Sequence, residues 1–134
     1  MVDGGLAAPT ECKHVAIVDD DASVRASLAR LLTACSYHVQ TYGSAKEFFN
    51  SKPARAPDCL IVDQHMEGMT GEELLLNLAR SRFRIPTVVL TGYDKLQSRI
   101  RFQEAGAVNF LVKPVTPDQL LRAIETALST RLLH

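Results

Sequence analysis

Short apolar runs alternate with amphipathic stretches along the chain, and this alternation restricts the fold more than any other feature. The runs are His14–Val18, Tyr37–Tyr42, Cys59–Val62, Thr87–Leu90 and Val108–Val112. The second is mixed; the others are largely apolar, as strands covered on both faces must be. Between them, Val24, Leu28, Leu31, Leu32 and Cys35 recur at the spacing of one helical face. Leu74, Leu75 and Leu78 make a second such face, and Leu120, Leu121, Ile124 and Leu128 a third. Ala45, Phe48 and Phe49 mark a shorter helix. The segment 94–104 has only Leu96, Ile100 and Phe102 as large apolar groups, so its helix is expected to be the least securely packed. Five strands alternating with five helices imply an α/β fold with a doubly wound, five-stranded parallel sheet.

Punctuation and composition agree with that reading. Ser44 and Thr116 stand where N-caps are needed, and Pro117 falls in a first turn, where proline is tolerated. Residues 52–57 read as a loop, and Pro86 lies at a strand start. A chain of 134 residues is expected to form one domain, here 13–134 behind a flexible leader of residues 1–12. Fifteen basic residues balance fifteen acidic ones, which gives no footprint for nucleic acid or membrane. The leader has neither a basic nor a continuous apolar region, so a cytoplasmic location is the expectation. Cys12, Cys35 and Cys59 are odd in number and form no C-x-x-C unit, which argues against zinc or a disulfide framework. Cys35 and Cys59 are expected to be core thiols. His14, His38 and His134 read as strand-edge, strand and tail residues.

In open α/β sheets, function gathers at the carboxyl ends of the strands. Here the first strand runs into Asp19-Asp20-Asp21, the third ends in Asp63, the fourth in Thr91-Gly92 and the fifth in Lys113-Pro114. Carboxylates this close repel unless a cation intervenes, and a hard divalent ion such as Mg²⁺ suits oxygen ligands. A lysine and a short hydroxyl complete a set able to stabilise a transferring phosphoryl group. A carboxylate can itself be the nucleophile, forming an aspartyl phosphate. Asp21 is expected to be a cap or first-turn residue of the first helix instead.

The ordered pieces IVDDD (17–21), LIVDQHMEGMTGEELL (60–75), IPTVVLTGYD (85–94) and AGAVNFLVKPV (105–115) resemble the receiver domain of bacterial two-component response regulators. The similarity covers roughly residues 13–131. The GMTGEELL and LTGYD pieces are most similar to receivers of FixJ/LuxR-related regulators. The resemblance implies a flavodoxin-like strand order of 2-1-3-4-5 and a phosphorylation-dependent signalling role rather than an ordinary enzyme. It implies that Asp63 is the phosphoacceptor and that Mg²⁺ is held by Asp20 and Asp63 directly, by Asp19 through a water, and by the backbone carbonyl of His65. Thr91 and Lys113 would contact the phosphoryl group, with room left beside the amide of Gly92. Phe110 would be the aromatic switch residue that follows Thr91, and Lys113-Pro114 would be cis. The implied phosphodonor is a sensor histidine kinase or phosphotransfer protein. The responding surface is helix 4, strand 5 and helix 5, through which relatives often dimerise.

Two departures from the family pattern stand out. Glu67 replaces the usual proline after Met66. His65 and Tyr93 occupy positions that tune autodephosphorylation, and their bulk implies a comparatively long-lived phosphoform. No basic recognition helix follows in this sequence, so no direct nucleic-acid binding by this chain is expected and the output lies with another domain or partner. Two other readings compete. A receiver-like interaction module working without phosphorylation would not need the charged set at the strand ends. A flavodoxin-like cofactor binder would need a phosphate-cradling first loop, where Asp19–Asp21 would instead repel an anion.

Overall fold

The computed structural model describes residues 12–51, 56–80, 85–92 and 96–132. Apart from Cys12, the expected leader lies outside the described residues, as do Tyr93 and His134. Five strands, β1 (His14–Val18), β2 (His38–Tyr42), β3 (Cys59–Asp63), β4 (Thr87–Thr91) and β5 (Ala107–Val112), alternate with five helices. The helices are α1 (Ala22–Ala34), α2 (Ala45–Ser51), α3 (Gly71–Arg80), α4 (Leu96–Glu104) and α5 (Pro117–Leu132). Every strand pairing is parallel and the order is β2-β1-β3-β4-β5, as expected.

Alternation within each strand sorts side chains into two cores. Val15 and Ile17 face Leu32 of α1 and Leu120, Ala123, Ile124 and Ala127 of α5. Ala16 and Val18 face Phe48 of α2, Leu74, Leu75 and Leu78 of α3, and Phe102 of α4. β1, β3 and β4 are buried almost throughout, which is why their sequences are nearly unbroken apolar runs. β2 is an edge strand, largely exposed, and its mixed sequence reflects one wet side. It starts at His38, because Tyr37 still belongs to the turn in which Ser36 takes a positive φ of 70°.

Helix ends follow the side chains available. Ser44 Oγ accepts from the Glu47 N–H, and Glu47 Oε2 from the Gly43 N–H, at the start of α2. Thr116 and Gln119 exchange reciprocal bonds at α5, a capping box. Thr70 and Glu73 form another at α3. The second box stands in the sequence as Thr70-x-x-Glu73, a local signal for the start of α3.

Two packing expectations resolve differently. α4 rests on Phe102, which is fully buried, while Ile100 is 45% exposed, in keeping with a weakly packed helix. Cys35 is not a core thiol: it is exposed, because α1 stops at Ala34 and Cys35 becomes its C-cap, its N–H turned to the carbonyls of Leu31 and Leu32. Cys59 is buried in β3, and burial pushes its thiol up to about 12. Since the thiolate is the reactive form, native protein treated with a thiol reagent at neutral pH should label Cys35 and spare Cys59 until denaturant is added. Peptide mapping of the labelled sites checks this.

Candidate functional site

The site is a product of parallel register. Val18 of β1 lies opposite Val62 of β3, so the next residues, Asp19 and Asp63, emerge side by side at the switch point of the sheet. Carboxylate oxygens of Asp19, Asp20 and Asp63 all lie within 4.8 Å of one another. Asp19 and Asp63 are buried and Asp20 is exposed, so the cluster opens to solvent on one side. From the end of β5, Lys113 places Nζ 3.2 Å from Asp63 Oδ1 and 3.9 Å from Asp19 Oδ2. A backbone bond of 2.7 Å from the Lys113 N–H to the Thr91 carbonyl ties that residue to the buried end of β4. The Lys113-Pro114 peptide bond is cis.

Asp19 is the most constrained member. Its Oδ1 accepts from the Asp21 N–H, its main-chain carbonyl accepts from Arg25 Nη1 at 2.6 Å, and its own N–H donates to the Tyr42 carbonyl. Oδ2 is buried and has no hydrogen-bond partner. Burial holds the Asp19 carboxyl above the ordinary aspartate value of 3.8; the Asp21 N–H opposes the shift and the charge of Asp63 adds to it. Asp21 turns away, as expected of a cap: its side chain accepts from Ser23 and Val24 at the start of α1. The bond to the Ser23 hydroxyl, with those backbone bonds, holds its carboxyl below the usual value.

The loop after β3 closes over the cluster. The Glu67 N–H donates to Asp20 Oδ2 at 3.4 Å, a bond that a proline at this position could not make. This contact was invisible in the sequence because it joins residues 47 positions apart. The Gly71 N–H returns to the Gln64 carbonyl, and a Cβ at Gly71 would stand 3.0 Å from the Asp63 carbonyl oxygen, so the close approach requires glycine. His65 and Glu67 are exposed on this loop. A Cβ at Gly92 would meet nothing within 4 Å, which leaves open the space beyond β4. Phe110 of β5 is half-buried, 5.3 Å from the Phe102 ring, with the Arg99 guanidinium 5.0 Å from its centroid. The geometry thus gathers Asp19, Asp20, Asp63 and Lys113 into one contact set. Thr91 stands at the neighbouring strand end and Phe110 further back on β5.

Residues 15–125 match the response regulator receiver domain family. The chain belongs to that family. The transcriptional regulatory protein FixJ of Rhizobium meliloti is 38% identical over 113 residues, 84% of this chain and 55% of that protein. Nodulation protein W of Bradyrhizobium diazoefficiens is 34% identical over 84% of this chain and 50% of its own length. The chain spans about half the length of these curated relatives. The crystal structure of FixJ-N superposes with a TM-score of 0.81 at 36% identity, covering 89% of this chain and 95% of that one. Among the described residues of this receiver, no helix is long and apolar enough to cross a membrane.

The receiver's acidic cluster fits a divalent cation on its own chemistry: three oxygen donors, one of them a buried oxygen with no hydrogen-bond partner among the described residues. Without the cation, the same arrangement strains the fold. Because the native Asp19 carboxyl titrates above its unfolded value, its contribution to stability is full below about pH 3.8 and is lost as pH rises through the native value. At neutral pH in chelator, Asp19→Asn should therefore raise the melting temperature, because the amide removes the buried charge and its repulsion by Asp63. Thermal melts at pH 4 and pH 7 check this, with the gain expected to be larger at pH 7.

Proposed function

We propose that the chain is a phosphorylation-dependent switch in which Asp63 accepts a phosphoryl group from a sensor histidine kinase or phosphotransfer protein. The observation that carries this reading is the contact of Lys113 with Asp63 inside the three-carboxylate cluster. Asp20 and Asp63 directly, Asp19 through a water and the His65 carbonyl would hold Mg²⁺, which supplies charge neutralisation for the phosphoryl oxygens. An Asp63 carboxylate oxygen attacks phosphorus, the bond from phosphorus to the donor histidine breaks, and an acyl phosphate remains. Lys113 is already within reach of Asp63 and passes to the added phosphoryl charge. The Thr91 hydroxyl turns toward the same group, and Phe110 follows into the space Thr91 leaves. That rearrangement alters α4, β5 and α5, the surface offered to an output domain, a partner or a second copy. On this reading the chain works in the cytoplasm, contacts no nucleic acid itself, and assists its own phosphotransfer and dephosphorylation without being an enzyme of another substrate.

Incubation with a small-molecule phosphodonor and Mg²⁺, followed by mapping of the modified residue, tests the reading. A single base-labile, hydroxylamine-cleavable modification at Asp63 is expected, absent in Asp63→Asn and absent in chelator. No modification, or equal modification of Asp63→Asn, would overturn it. Phosphoform lifetime gives a separate measure. Exchanging His65 and Tyr93 for small polar residues should speed phosphate loss about ten-fold or more, since bulky side chains at these sequence positions are expected to restrict the attacking water. An unchanged rate removes that role from the pair.

A further inference from the structure

Phe110 touches one helix twice. Its backbone is fixed in the sheet, where it pairs with Val89 of β4 and its N–H donates to Asn109 Oδ1 at 2.9 Å. Its side chain is half-buried, and two residues of α4 meet the ring. The fully buried Phe102 ring lies 5.3 Å away between centroids, at an angle of 43°. The guanidinium carbon of Arg99, itself half-buried, stands over the ring 5.0 Å from its centroid. Arg99 and Phe102 are three positions apart and so share one face of α4. A gap of about 110 Å³, edged by Gln103, Ala107 and Val108, adjoins the ring and leaves it room to move.

A plain phenyl ring has no tendency of its own to stay half-buried. Turning inward removes apolar area from water and, with no hydroxyl, strands no polar group. Hydration of the phenol oxygen would keep a tyrosine at the surface, but a phenylalanine needs another restraint. The face of an aromatic ring attracts a cation, and the Arg99 guanidinium supplies one here. We propose that Arg99 is a positioning residue for the switch, its guanidinium latching the Phe110 ring in the half-buried orientation. The proposal rests on the reading of Phe110 as the residue that follows Thr91. Phosphorylation then has to outweigh the latch, which sets the threshold of the response. A contact of this kind at a partly exposed site changes the ratio of two orientations about two- to five-fold. Because Arg99 belongs to α4, release of the ring also removes a tie between that helix and β5.

Fluorine NMR of the intact chain with 4-fluorophenylalanine in place of Phe110 tests this. The solvent-isotope shift of the fluorine signal falls as the ring leaves water, so it reads the ring's position without any phosphoryl group. Arg99→Gln should lower that shift in the free chain, and Arg99→Lys, which keeps a cation, should restore most of it. A second variant leaves Arg99 in place: 3,4,5-trifluorophenylalanine at position 110 draws electrons from the ring face and should act as Arg99→Gln does. Affinity for beryllofluoride, a phosphoryl mimic, should rise about two- to five-fold in Arg99→Gln with Mg²⁺ present. Melting curves check that each variant is folded. An isotope shift unchanged in Arg99→Gln overturns the latch. Equal loss in Arg99→Gln and Arg99→Lys also overturns it, since the side-chain stem rather than the charge would then hold the ring. If the unaltered chain takes no beryllofluoride, the phosphoacceptor reading fails, and the isotope shift still decides the latch.

Discussion

The in-register parallel pairing of β1 with β3 is the constraint on which the rest of this molecule depends. It sets Asp19 beside Asp63 at the ends of two fully packed strands, where neither carboxylate can retreat into water. Parallel strands at the centre of a doubly wound sheet have no wet face, so the apolar layers that stabilise the fold also hold two like charges together. The stability of the core and the crowding of charge in the pocket are consequences of one geometry. A looser sheet would relieve the repulsion and lose the site.

The chain answers that repulsion from several directions at once. Lys113 supplies a counter-charge from β5, the Asp21 amide satisfies one oxygen of Asp19, and Arg25 pins the Asp19 main chain. The remaining buried oxygen of Asp19 is left open. Compensation is thus incomplete, and the charge left over suits the cluster to an incoming cation. A fully neutralised cluster would be more stable and chemically inert.

Much of this was legible in the sequence because buried parallel strands write themselves as apolar runs and their ends as abrupt polar residues. Asp63, Thr91 and Lys113 are visible as strand terminators, and the rule for open parallel sheets puts strand ends on one rim. What escaped depends on contacts without a local signature. Cys35 continued the apolar spacing of α1, yet the helix ends one residue earlier, at the Ser36 turn. The Glu67 amide reaches Asp20 across the fold, and only the backbone path of the loop reveals it. His14 and His38 looked like unrelated strand residues until register made them partners.

The seating of Phe102 has one more consequence. It is the buried anchor of α4, and one wall of its socket is the ring of Phe110. Any reorientation of Phe110 therefore changes the cohesion between α4 and the sheet, because an anchor cannot stay seated when its wall turns. Ring orientation and helix docking behave as a single variable. A surface helix with several anchors would average such a disturbance away, whereas one whose fully buried contact, among the described residues, is a single ring reports it.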